Sequence, residues 1–229
     1  MLKKLLFILT FTLGVSSVFA QKTFDNGVIT YEMNQTKEAR DGSEIKTKAT
    51  TVFHIKGKEA KMNMALKYMN MDLRMEYLIN AENKTGLFLT EGMDQKMASK
   101  LTPADYDDLV KKNQFPIEEI EPTDETKEIL GYTCKKVIAT VKQGEGMKMD
   151  IYYTEAIKPL AVEGLGYAYV KEINGLPLEY NMYNSTSNTT FKATEIKEGD
   201  AKDSDFDYDI PEGYEEIPYS ELSKMMGGM

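Results

Sequence analysis

One cysteine, one histidine and no tryptophan in 229 residues leave several chemistries without their groups. A domain stapled by disulfides needs several cysteines, and Cys134 has no second to pair with. A zinc or haem site built from His and Cys lacks its ligands. A Ser-His-Asp or Cys-His enzyme would depend on His54 alone. Basic residues are also short, 28 Lys and Arg against 37 Asp and Glu for a net charge of −9. The chain therefore offers no basic footprint for nucleic acid. No G-x-x-x-x-G-K-[ST], H-E-x-x-H or G-x-S-x-G occurs. Adjacent acids such as Glu118-Glu119 and Glu215-Glu216 point to opposite sides of an extended chain, so they give no support to a glycosidase. These absences lead to the expectation of a protein that is not an enzyme, with no cofactor.

The N-terminus has the build of a secretory signal peptide. Lys3 and Lys4 form a positive start, Leu5 to Val18 is apolar or small, and Val18-Phe19-Ala20 offers small residues at the places a cleavage site requires. Residues 1–20 are read as this signal, cleaved near Ala20, and residues 21–229 as one domain, periplasmic or secreted. Residue 21 is Gln rather than Cys, so the new N-terminus offers no lipid attachment. No other apolar run is long enough to hold the chain in a membrane, so no stable membrane insertion is expected.

The body alternates with a period of two. Met62, Met64, Leu66 and Tyr68 face one way and Lys61, Asn63 and Lys67 the other; Met71, Leu73, Met75, Tyr77 and Ile79 oppose Asp72, Arg74 and Glu76. Met147, Met149, Ile151 and Tyr153 repeat the pattern, as do Leu176, Leu178, Tyr180 and Met182. Such alternation makes strands with one buried and one wet face, the habit of antiparallel sheets. Further strands are expected over 27–34, 49–57, 85–91, 133–142, 166–173 and 189–197, punctuated by Gly, Asn and Asp turns.

One helix stands out. Thr102 is an N-cap, Pro103 opens the first turn, Asp105 takes the capping-box place, Leu101 and Tyr106 form a staple, and Lys111 and Lys112 close the last turn. A weaker helix is expected over 220–226. Residues 116–128, rich in Glu and Pro, read as a crossing loop. Asp203, Asp205, Asp207 and Asp209 alternate and read as an edge strand with a solvated acidic face; the spacing does not fit a helix–loop–helix calcium site. Cys134 reads as a buried inert thiol and His54 as a plain outward residue.

So much apolar strand face with so little helix to cover it predicts a mainly β, α+β fold, a curled antiparallel sheet or half-barrel with one or two short covering helices. The inward face would bind a lipid or other hydrophobic small molecule through Met62, Met64, Leu66, Met71, Leu73, Met75, Tyr77, Met147, Met149 and Tyr180, since Met adapts to irregular guests. Two alternatives stand beside it. One is a module filled by its own side chains that senses or contacts an envelope protein partner. The other is copper binding through Met-x-Met pairs, which suit Cu(I). An aspartate at Met64 or Met75 is expected to be severely destabilising or to abolish uptake, and one at Lys61 or Arg74 nearly neutral.

Ile129-Leu130-Gly131-Tyr132-Thr133-Cys134-Lys135-Lys136 with Val137 and Ile138 after it, and the closing segment Phe206 to Tyr214, carry a resemblance. With the signal peptide and the Thr-Pro-Ala-Asp helix, they make the chain resemble an exported bacterial family of unknown function near the lipoprotein-carrier (LolA/LolB/RseB-like) superfamily. That resemblance implies a half-barrel with an apolar concave face and helices as a lid. In the carrier members the concave face holds acyl chains of lipoproteins. It implies no catalytic residues.

Overall fold

The alternating segments are strands in the computed structural model, which describes residues 21–39, 41–68, 71–92, 94–113, 116–142, 146–159 and 173–227. In chain order they are β1 (Lys22–Phe24), β2 (Asn26–Glu38), β3 (Glu44–Lys56), β4 (Glu59–Tyr68), β5 (Met71–Asn80), β6 (Thr85–Gly92) and β7 (Gln95–Leu101). Helix α1 (Pro103–Asn113) follows, then β8 (Ile117–Ile129), β9 (Tyr132–Val141), β10 (Lys148–Thr154), β11 (Ile157–Pro159), β12 (Leu176–Tyr183) and β13 (Ser187–Glu198). A 3-10 turn (Asp203–Asp205), β14 (Glu215–Glu216) and α2 (Tyr219–Gly227) complete the order. The expected signal peptide, all but the last residue of the strand expected over 166–173, and Met69 and Met229 of the methionine groups considered for copper lie outside the described residues.

Twelve strands form one sheet in the order β14-β7-β6-β5-β4-β3-β2-β13-β12-β10-β9-β8, while β1 pairs in parallel with β11. Neighbours in the large sheet are antiparallel except the short parallel pair β14–β7. A flat sheet of this size would be roughly 50 Å wide at the usual strand spacing. Yet Leu101 on β7 shares one core with Cys134 and Val137 on β9 near the other edge, so the sheet curls around its inner face. It does not close: among the described residues β8 and β14 do not pair with one another. The chain is thus a mainly β half-barrel with two short helices.

The helices cover one end of the inner face. Tyr106, Leu109 and Val110 of α1 and Tyr219 of α2 pack with Ile55, Ala60, Ile79 and Leu101. The α1 start is held as its residues dictate: the Thr102 backbone N–H donates to Asp105 Oδ2 at 3.0 Å, and the Asp105 N–H donates to Thr102 Oγ1 at 3.3 Å. Both orphan donors are satisfied at once. Thr102→Ala should lower stability by about 1 kcal/mol, read as a shift in the urea midpoint with unchanged slope.

Four expectations are corrected. Residues 116–128 are not a loop but edge strand β8, paired with β9 through two register shifts. Pro122 sits beside the second shift, where a missing N–H is tolerated. Second, residues 203–209 form no edge strand. Asp203 and Asp205 lie in the 3-10 turn, Phe206 is buried, and Tyr208, Ile210 and Tyr214 pack on Leu78, Leu87, Leu89 and Ala98 of the outer face. The chain then rounds the β7 edge through β14 and enters the inner face at Tyr219. Third, His54 is outward but not plain: its Nδ1 lies 3.0 Å from Asp205 Oδ2, and Lys56 pairs with Asp203. Lys61 is likewise sheltered beside Glu76 at 3.0 Å with its side chain 18% exposed, so an aspartate there is not neutral.

This strap makes a pH prediction. Burial raises the Asp205 pKa, but the Lys202 N–H and His54 outweigh it and hold the carboxyl below its usual range. A depressed carboxyl stabilises the fold above its unfolded pKa of about 3.9 and loses that stability as pH falls through the lower folded value. Asp205→Asn should therefore cost about 1 kcal/mol at pH 7 and flatten the loss of stability below about pH 4. Denaturant titrations at pH 7 and pH 2.5 check this; parallel curves for both proteins at both pH values would refute it.

Candidate ligand-binding face

Cross-strand register arranges the inner face in rows. Nearest the helices, Ala60 opposes Ile79 and Ile55, and all three are buried. The next row runs Phe88, Tyr77, Met62, Phe53, Ile29. Tyr77 stacks on Phe88 at 4.0 Å, and Phe53 meets Tyr31 edge-on at 5.8 Å. Tyr31 contacts Tyr180 at 6.2 Å, which stacks on Phe191 at 4.7 Å. These rings cross the sheet from β6 to β12 as a belt. Offset and edge-on pairs add stability beyond their buried area. The Tyr31 hydroxyl donates to the Pro177 carbonyl at 2.7 Å, which fixes the ring in an otherwise apolar floor.

Beyond the belt the cover thins. One row runs Thr90, Met75, Met64, Thr51, Tyr31; the next continues through Leu73, Leu66, Ala49 and Met33. Met64, Leu66, Met71, Leu73 and Met75 are each half-buried, and none packs into either apolar core. Gly92 makes room for Leu73 here: a Cβ on it would stand 2.2 Å from Leu73 Cδ2. The Thr51 hydroxyl is buried in this row without a hydrogen-bond partner among the described residues.

The ten residues singled out from sequence thus fall into three groups. Met149 and Tyr180 are buried in the closed core. Met62, Tyr77 and Met147 are half-buried against it. Met64, Leu66, Met71, Leu73 and Met75 form the half-exposed stripe on β4 and β5. Met33 and Met182, which are not among those ten, are also half-buried on this face.

Cys134 and His54, the one thiol and the one imidazole of the chain, are both engaged. Burial first, then Glu128 and Glu179, pushes the Cys134 thiol up to about 11, and its Sγ donates to the Tyr132 carbonyl at 3.6 Å. His54 is engaged by Asp205 on the other face. Among the described residues no group of three His, Cys, Asp or Glu stands ready to hold a metal ion, and no helix is long and apolar enough to cross a membrane.

No protein-family model matches the chain, and no curated protein sequence matches it. Solved structures resemble it at low TM-scores. MucB is similar at 11% identity and a TM-score of 0.37, over 80% of this chain and 57% of MucB, so the chain spans little more than half of that protein. A beta-barrel-like protein of a domain of unknown function from Brucella abortus is similar at 8% identity and a TM-score of 0.38, over 78% of this chain and 99% of the other. A LolA superfamily protein from Nitrosomonas europaea is similar at 11% identity and a TM-score of 0.32, over 80% and 90% of the two chains.

Proposed function

We propose that the protein is an exported, non-enzymatic binding protein for a lipid or another apolar ligand, held on the inner face beyond the aromatic belt. The observation that carries this reading is the stripe Met64, Leu66, Met71, Leu73 and Met75, apolar, half-exposed and left out of both cores. Apolar side chains grouped in this way mark ligand or partner surfaces. Methionine adapts to guests of varied shape. The aromatic belt gives the guest a fixed floor, and the open edge between β8 and β14 leaves a side without strand pairing. The Thr51 hydroxyl beneath the stripe supplies a polar contact for a carbonyl or hydroxyl on the guest.

A fluorescent fatty-acid probe tests this. The purified protein should enhance its emission and release it to unlabelled fatty acid, and native mass spectrometry should show lipid-sized adducts. A protein that comes out empty and ignores the probe would remove the proposal.

A further inference from the structure

We infer that the outer face carries a second binding site, a trough centred on Lys48, Lys67 and Arg74 that takes an acidic, extended segment of a partner protein. It is independent of the apolar ligand, because strand alternation puts it on the opposite side of the same sheet.

The trough is about 510 Å³ and crosses β2, β3, β4 and β5. Register sets its floor. One row runs Glu32, Thr50, Ala65, Arg74, with Glu91 beyond it; the next runs Asn34, Lys48, Lys67, Asp72. Small side chains at Thr50 and Ala65 make the depression, and Lys48 stands directly opposite Lys67. Like charges placed so repel. Several other cations of the sheet are matched: Lys61 pairs with Glu76, Lys96 with Glu91, Lys127 with Glu179, Lys136 with Glu125 and Asp150. Lys48, Lys67 and Arg74 make no ion pair among the described residues. In a chain of net charge −9, three unmatched cations around one depression are the groups a carboxylate-bearing visitor would satisfy.

The same face already holds such a visitor. The chain's own segment from Asp203 to Tyr214 lies along it, with Asp203 on Lys56, Asp205 on His54, and Tyr208, Ile210 and Tyr214 on apolar strand residues. A second hollow of about 330 Å³, sharing Thr50, Ala65 and Arg74, joins the trough to Tyr214. The trough thus continues a track whose first half is built for acids alternating with aromatic and apolar residues. Glu32, Asp72 and Glu91 at its flanks confine the visitor's carboxylates to the middle strands.

Fluorescence anisotropy with a short labelled peptide of alternating Asp and Tyr tests this on the full chain. Binding should weaken steeply with salt. Lys48→Glu, Lys67→Glu and Arg74→Glu combined should lower affinity at least about tenfold, and leave the fatty-acid probe unaffected, which also shows that the variant is folded. Lys48→Glu alone faces Lys67 and should raise the thermal midpoint by about 1–3 °C. The proposal is overturned if the peptide does not bind, if the triple variant binds it as well as wild type, or if Lys48→Glu lowers the midpoint. It is equally overturned if the peptide is ignored while phosphatidylglycerol vesicles or inorganic phosphate bind through these residues.

Discussion

Tyr180→Ala should be among the most damaging single changes in the molecule, with a loss of about 3–5 kcal/mol. Tyr180 is 2% exposed, stacks on Phe191 and leans on Tyr31, whose own ring meets Phe53. Removing it leaves a cavity where β12, β13 and β2 share one layer, and neighbouring rings cannot fill it without abandoning their contacts. For a chain of this length the melting midpoint should fall by roughly 10 °C or more, seen by circular dichroism. Met149→Leu nearby keeps the volume and should cost less than about 1.5 kcal/mol. An unchanged midpoint for Tyr180→Ala would mean that the belt is not part of the closed core.

The second large effect is on binding. Met64→Asp with Met75→Asp puts two carboxylates directly opposite one another in the half-exposed stripe. Because both positions reach water, the fold should survive, which leaves loss of uptake as the outcome of the two that the alternation leads one to expect. An acyl chain there would have to desolvate two charges, so affinity for the fatty-acid probe should drop at least about a hundredfold, equivalent to ~2.7 kcal/mol. Lys46→Asp, exposed on the outer face, should leave the probe affinity as it was. If all three substitutions affect the probe alike, the guest does not sit on the inner face.

The sheet was legible because β4, β5, β10 and β12 alternate almost without error, and the capping box announced α1. What escaped was structure whose pattern serves two faces at once. Tyr77-Leu78-Ile79 and Leu87-Phe88-Leu89 interrupt the alternation, because β5 and β6 are covered on both sides. Those triplets were the signal that something apolar lies against the outside, and Tyr208, Ile210 and Tyr214 were the matching partners. Their alternation with aspartates looked like a strand because a strap lying on a sheet also needs one face apolar and one wet. β8 escaped because an edge strand with eight exposed positions out of thirteen and a proline beside a register shift carries little apolar period. The division of the ten inner-face residues between floor and accessible stripe had no signal in the pattern at all. It depends on how far two short helices reach along the sheet.

The unclosed rims carry a consequence for the protein in bulk. Both margins are lined with carboxylates, Glu215 and Glu216 on one and Glu118, Glu119, Glu121, Asp124 and Glu125 on the other. Two copies meeting margin to margin would bring negative charge against negative charge, a barrier to stacking into fibres. Concentrated stocks should therefore keep well at neutral pH and low ionic strength, and gel or turn cloudy once acid neutralises those margins.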